Sequence, residues 1–387
     1  MQEQRIKHKT HSTKAETEKV VLVGVGSKGH DRGWTTADSL RELSHLATTA
    51  GATVVGVLTQ RLDTPSRTHY IGKGKMQELL DLKEKAQYDT AVFDDELSPR
   101  QQRNLEDALG VRVIDRSALI LHIFAQRART SEGKLQVELA QHEYLLPRLV
   151  GQWKHLERLG GGIGTRGPGE SQLETDRRLI SKRIGLLRRK LESVTTHRSL
   201  YRQRRKDEGI RIVALVGYTN AGKSTLFNAL SKAGVDAEDK LFATLDPVTR
   251  RVALPNGEQL LITDTVGFIH KLPPSLIAAF RATLEELDEA DLLLHIVDIT
   301  HPNAGHQCQT VEGILKDLRL ESKPRLTVFN KTDLALTNEA ESHTLDTVPG
   351  LEEVVLPGEG IVLISATRGW GIDKLMDKIA HHLKLAH

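Results

Sequence analysis

The sequence predicts an α/β protein whose C-terminal half is one doubly wound, mainly parallel sheet, preceded by a small α/β domain and an α-helical hairpin. Three observations carry that prediction. Residues 19–130 and 211–384 alternate short apolar runs with amphipathic stretches, the rhythm of strand and crossover helix. Between them, apolar residues recur three, four or seven apart, which is a helical period. A glycine-bounded segment, GYTNAGKST from Gly217 to Thr225, stands between the apolar run Ile212–Val216 and a helical pattern starting at Leu226. That is the context in which backbone N–H groups and a helix N-terminus cradle phosphate.

Taken in order, residues 1–18 are polar and charged, without the apolar core of a signal peptide or anchor, and read as a disordered tail. The N-terminal α/β domain, 19–130, is expected to hold strands at Val20–Val25, Thr53–Leu58, Thr90–Phe93 and Val111–Ile114. Its helices are expected at Ala37–Thr49, Glu78–Lys85 and Pro99–Leu109. In residues 131–208, Leu135, Leu139, Leu146, Leu149, Trp153 and Leu156 form one narrow stripe, and Leu173, Ile180, Ile184, Leu187, Leu191 and Val194 form a second. Two such stripes predict an antiparallel hairpin, its first arm bent at Pro147. The glycine-rich stretch 160–170 suits neither helix and should be the tip. In the last domain, 209–387, strands are expected near Ile212–Val216, Gln259–Thr263, Leu292–Val297, Arg325–Phe329 and Val362–Ser365.

Composition narrows the function. A chain of 387 residues is too long for one core, and 39% hydrophobic with 27% charged residues fits a globular protein. The single cysteine, Cys308, excludes a disulfide framework or a cysteine metal site and makes a reducing cytoplasm the simplest home. No apolar run reaches the ~20 residues of a membrane span. The net charge of +3 is unevenly spread: Leu145–Glu208 holds 16 Lys/Arg against 7 Asp/Glu. Such a block is either a solvated helical face or a footprint for nucleic acid. The histidines show no metal-ligand spacing.

The chemistry lies in ordered motifs. Across Gly217, Tyr218, Thr219, Asn220, Ala221, Gly222, Lys223, Ser224 and Thr225, the loop would wrap a di- or triphosphate, with Lys223 on the β- and γ-phosphates and the Ser224 hydroxyl on Mg²⁺. Asp264-Thr265-Val266-Gly267 ends a strand, where an open α/β sheet binds ligand; Asp264 would hold Mg²⁺ through water, and the Gly267 N–H would meet the γ-phosphate. Asn330-Lys331-Thr332-Asp333 follows another strand, and a carboxylate at Asp333 can accept from the guanine N1–H and exocyclic amine, a pair that adenine does not offer. Ser365, Ala366 and Thr367, after the last strand, would complete the base pocket. Gly24-Val25-Gly26-Ser27-Lys28-Gly29 matches a dinucleotide fingerprint, but no helix opens at once and no acidic residue ends the second strand, so it reads as a false match.

This ordered set resembles translation-factor-type GTPases and, more closely, the HflX family, whose members associate with the large ribosomal subunit. The likeness extends from about residue 19 to 384 and includes Phe93–Pro99, Gly133–Gln141, the tip Gly160–Glu170 and Leu241–Pro247. It implies a P-loop GTPase domain at the C-terminus. Thr244 is implied to be the switch threonine on Mg²⁺ and the γ-phosphate, with Phe242, Ala243, Leu245 and Asp246 beside it at the GTP site. It further implies that residues 145–208 contact ribosomal RNA, and that the protein, expected to be monomeric and cytoplasmic, splits or rescues ribosomes or serves translation under stress. Asn220 matches the arrangement of potassium-stimulated GTPases. Phe268 stands where many GTPases carry a water-orienting glutamine, so slow intrinsic turnover is expected. Two other readings stand beside this one: a GTP-regulated RNA-binding protein with little intrinsic catalysis, and an ATP-driven RNA remodeller acting through the N-terminal domain.

Overall fold

The computed structural model describes residues 17–27, 34–149, 168–207, 209–232, 241–273, 276, 286–335 and 360–385, with side chains of the 168–207 helix described only from 174 to 194. The N-terminal elements are β1 (Lys19–Ser27), α1 (Thr36–Thr49), β2 (Thr53–Leu62), α2 (Lys73–Ala86), β3 (Thr90–Phe93), α3 (Pro99–Leu109), β4 (Arg112–Asp115) and α4 (Arg116–Arg127). The strands pair in parallel in the order β2-β1-β3-β4. Local chemistry sets the helix starts: Thr35 with Asp38, and Ser98 with Gln101, form capping boxes at α1 and α3, and Gly110 in the left-handed region ends α3.

One face of this sheet, through Val21, Val23, Ala91, Phe93 and Val113, packs on Leu79 of α2 and on Leu105 and Leu109 of α3. The other face, through Val20, Leu22 and Val92, packs on α1 and α4. Helix α4 is an addition to the sequence reading. Its Leu119, Ile120, Leu121, Ile123 and Phe124 are all buried and leave a narrow exposed strip at His122, Ala125 and Gln126, so the near-continuous apolar run does not show a helical period clearly.

Two helices follow, α5 (Ser131–Leu145) and α6 (Pro168–Asp207). Leu135, Leu139 and Leu146 pack on Ile180, Ile184, Leu187 and Leu191, which joins the two expected stripes. Pro147 does not bend α5, because the helix already ends at Leu145 and its last N–H cap comes from Leu146; proline closes a helix more readily than it kinks one. Likewise Pro168, Gly169 and Glu170, expected in the tip, open α6, proline being well suited to a first turn. Trp153, Leu156 and the rest of the tip lie outside the described residues.

The C-terminal part comprises β5 (Arg211–Gly217), α7 (Lys223–Ser231), β6 (Val248–Ala253), β7 (Gln259–Asp264), β8 (Leu292–Asp298), α8 (Ala304–Asp317), β9 (Arg325–Asn330), β10 (Gly360–Leu363) and α9 (Ile372–Leu385). Among the described residues its sheet runs β10-β9-β8-β5-β7-β6, parallel except for β6 against β7. Strand β6 is a second addition: an edge strand carrying Arg250 and Arg251 reads as a loop because its outer side is wet. One sheet face packs on Leu226 and Phe227 of α7 and on Leu375, Met376 and Ile379 of α9. The opposite face, through Ile212, Ala214, Val216 and Leu293, covers Val311 and Leu315 of α8 and continues into the α1 and α4 layer of the first sheet. The two α/β units therefore share one core.

At that seam lies the Arg116 guanidinium, 1% exposed as a residue. It meets Asp94 at 2.6 Å and Glu42 at 2.7 Å, and donates to the Ser39 carbonyl at 3.0 Å and the His270 carbonyl at 3.2 Å. Burial works to raise the Asp94 carboxyl, but Arg116 and Lys271 together hold it at about 2. Removing one partner of such a cluster strands the others' charge. Arg116→Met should cost about 3–5 kcal/mol in urea unfolding, whereas Lys271→Ala, at the solvent-facing end, should cost about 1 kcal/mol or less.

Candidate functional site

The glycine-rich loop joins β5 to α7 at the carboxyl end of the sheet. Lys223 is buried, its ammonium donating to the carbonyl of Tyr218 at 2.7 Å and of Gly217 at 3.2 Å. An open cavity of about 390 Å³ lies above it, lined by Thr219, Asn220, Gly222, Lys223, Ser224, Thr225, Phe242, Ala243, Thr244, Thr265 and Gly267. Gly267 comes so close that a Cβ there would lie 2.9 Å from both Lys223 Nζ and Thr219 Cα, so only glycine leaves its N–H room to face the cavity.

Three oxygens converge at the cavity floor. Ser224 Oγ is 2.8 Å from Thr244 Oγ1, and each hydroxyl donates to Asp264 Oδ2, at 2.7 and 2.8 Å. The other oxygen, Asp264 Oδ1, is buried and has no hydrogen-bond partner among the described residues. Burial raises the Asp264 carboxyl, against the pull of Lys223. Two hydroxyls and a carboxylate with an orphaned oxygen form a hard-oxygen donor set, and a small divalent cation would satisfy it.

On the far side, the expected base-pocket residues come together although the two motifs are far apart in the chain. Asn330 Nδ2 donates to the Ala221 carbonyl at 2.9 Å, and Asn330 Oδ1 accepts from Ala366 N at 3.0 Å, which ties the glycine-rich loop to the segment after β10. Ser365 Oγ donates to Asp333 Oδ1 at 2.6 Å and aims the carboxylate. Lys331, left-handed with φ of 66°, pairs with Asp298 at 2.7 Å. Thr332 is buried and Thr367 exposed.

Four expected residues sit elsewhere. The Tyr218 side chain points away from the cavity to Glu42 of α1. Val266 and Leu245 are buried in the shared core. Asp246 is a correction: its carboxylate accepts from the backbone N–H groups of Arg129 at 2.8 Å and Thr130 at 2.9 Å, ahead of α5, rather than facing phosphate. A carboxylate is better satisfied by two helix-start N–H groups than beside an anion. Residues 28–33, which include the end of the dinucleotide-like match, are outside the described set.

A ring missed by sequence reasoning surrounds Tyr218. Its hydroxyl donates to Glu42 and accepts from His270 N at 2.7 Å, while Arg116 bridges Glu42 and the His270 carbonyl. The backbone beside Gly267 is bonded as well: Phe268 N donates to the Gly217 carbonyl at 3.1 Å, and Thr219 N to the Phe268 carbonyl at 2.7 Å. The Phe268 side chain is 1% exposed and turned into the core, away from the cavity.

Burial lowers the Lys223 ammonium from 10.5 to about 8, with Asp264 opposing. Between those values the unfolded chain binds more protons than the folded one, so the nucleotide-free protein should gain stability as pH rises through that window. Phosphate binding needs the ammonium and should weaken in the same direction. Calorimetric titration with GDP should show affinity falling roughly fourfold from about pH 7 to about pH 8.5.

Comparisons with known proteins identify the family. Residues 37–125, 127–205 and 212–331 match family models described as GTP-binding GTPase N-terminal, GTP-binding GTPase middle region and 50S ribosome-binding GTPase. The chain is 50% identical over 366 residues to GTPase HflX of Caldanaerobacter subterraneus subsp. tengcongensis, covering 95% of this chain and 81% of that protein. It is 44% identical over 346 residues to GTPase HflX of Escherichia coli, covering 89% and 79%. A solved GTP-binding protein from the archaeon Sulfolobus solfataricus, in complex with GDP, is 25% identical with a TM-score of 0.47, over 96% of this chain and 100% of that one. With three family models matched in order and relatives of this identity along nearly its whole length, the chain belongs to the HflX family of GTPases.

Proposed function

We propose that this cytoplasmic GTPase binds the large ribosomal subunit through residues 145–208 and uses GTP as a conformational timer in splitting or rescuing ribosomes, or in translation under stress. The division of charge on α6 carries the reading. Arg183 and Arg188 pair with Glu138 and Glu143 of α5, at 2.6 and 2.7 Å, and hold the helices together. Arg177, Arg178, Lys182, Arg189 and Lys190 are exposed and, among the described residues, have no carboxylate within ion-pair distance. A long helix with these five exposed cations, unpaired among the described residues, suits a phosphate backbone. The match of residues 212–331 to a model described as a 50S ribosome-binding GTPase points the same way.

In this reading Lys223 neutralises the β- and γ-phosphates, and the Gly267 N–H donates to the γ-phosphate as charge grows there. The hydroxyls of Ser224 and Thr244, and Asp264 through water, would hold Mg²⁺, which when bound supplies Lewis-acid charge. Asp333 accepts from guanine, with Asn330 and Ser365 bracing it. Phe268 offers no hydrogen bond to the attacking water, so another group orients it and intrinsic turnover is slow until the ribosome orders the segments around the γ-phosphate. Asn220, left-handed with φ of 64° and lining the cavity, is proposed as a potassium ligand beside the phosphates.

Sedimentation with large subunits should retain the protein with a non-hydrolysable GTP analogue more than with GDP. Replacing Arg166 and shortening the neighbouring glycines should reduce that retention with GDP affinity unchanged; normal retention would refute the RNA-contacting role. Charge-removing changes at Arg178 and Lys182 should flatten its salt dependence by roughly one unit of log–log slope for each phosphate that is no longer neutralised. For the monovalent ion, turnover measured in potassium should exceed that in sodium, and equal rates would remove Asn220 from the cation site.

A further inference from the structure

The segment that carries Thr244 is built onto the N-terminal half of the chain. Leu241, Phe242 and Leu245 are buried in the layer that holds Ile120, Phe124, Val137 and Ala140. The Phe242 ring meets Phe124 of α4 edge to face, with centroids 4.7 Å apart at 78°. Between these anchors, Ala243 and Thr244 face the phosphate cavity. Asp246 closes the segment. One of its oxygens accepts from Arg129 N at 2.8 Å and Thr130 N at 2.9 Å, and the other accepts from the Thr130 hydroxyl. Thr130 is itself the N-cap of α5, accepting from Gly133 N at 2.9 Å. The carboxylate therefore sits at the positive end of α5, where N–H groups have no partner within the helix. Gly133 makes the approach possible, since a Cβ there would lie 2.2 Å from Asp246 Oδ1.

We propose that Asp246 is a positioning residue for GTP hydrolysis. By fixing the segment to the start of α5, two residues past Thr244, it holds the Thr244 hydroxyl beside Ser224 and Asp264. Two extended residues span at most about 7 Å, so a displacement at one end is felt at the other. The link runs both ways: engagement of Thr244 at the γ-phosphate tightens the α5 start, and strain on α5 pulls on Thr244. Helix α5 packs on α6, so the first arm of the helical pair is tied to the nucleotide state through this carboxylate together with the apolar layer that holds Val137 and Ala140. This inference rests on the reading of Thr244 as a ligand to the cation and γ-phosphate.

The test uses the full chain with Asp246→Asn and, separately, Gly133→Ala, which displaces the carboxylate without changing its charge. GDP affinity should stay within about twofold of the parent, because the P-loop and the Asn330–Asp333 and Ser365–Thr367 loops are untouched. Affinity for a non-hydrolysable GTP analogue should fall roughly tenfold, and kcat at least as far, as charge-assisted hydrogen bonds are removed. Hydrogen exchange at the Arg129 and Thr130 amides should be slower with the analogue than with GDP in the parent, and the difference should vanish in both variants. Thr244→Ala separates the two readings. If it leaves analogue affinity and kcat unchanged, the role of Thr244 is wrong and the proposal falls with it. If it lowers both while Asp246→Asn and Gly133→Ala keep the parent's analogue-to-GDP affinity ratio, the anchor alone is overturned.

Discussion

The Arg116 guanidinium is removed from water and so must have its donors satisfied by protein, and its partners come from separate stretches of the chain. Ser39 and Glu42 lie on α1, Asp94 follows β3, and the His270 carbonyl lies just past Gly267. A buried cation tolerates no vacancy among its partners. The packing of α1 against α4 and the path of the backbone leaving Gly267 are thus tied together by one side chain. Tyr218 closes the circuit by bonding both Glu42 and His270 N from within the phosphate loop.

The apolar part of the seam has the same character. Val266, Phe268 and Ile269 on one side of the cavity, and Leu241, Phe242 and Leu245 on the other, all belong to the core shared by the two sheets. In most cores such residues would only add stability. Here they flank Thr244 and Gly267, which line the cavity, so whatever rearranges those two residues repacks the interface between the two halves of the chain. Close-packed interfaces respond to such changes by switching between arrangements rather than by yielding smoothly.

Helices α5 and α6 show how one composition serves two purposes. Their facing sides hold a narrow leucine and isoleucine stripe with Arg–Glu pairs across it, while Arg177, Arg178, Lys182, Arg189 and Lys190 of α6 are exposed. A basic excess alone does not distinguish a braced helix pair from an RNA-facing surface. The pairing partners do, because a cation already bonded to a carboxylate has little left to offer a phosphate.

Much of the nucleotide site is legible in the chain itself. Glycines, Lys223, Ser224, Asp264, Asn330 and Asp333 lie at spacings that only a strand–loop–helix frame makes sense of, and local alternation already places each at a strand end or in the turn that follows it. What the sequence determined is therefore the set of functional groups and the order in which the sheet presents them. Tertiary structure decided the rest: that α4 is a largely buried helix, that β6 pairs along the edge, that Tyr218 and Asp246 turn from the cavity toward α1 and α5, and that Arg116 and Tyr218 meet the segment after Gly267. Short-range patterns fix which residues share a face. A hydrogen bond between side chains far apart in the chain exists only once packing has brought the two halves together and shut out the water that would otherwise satisfy them.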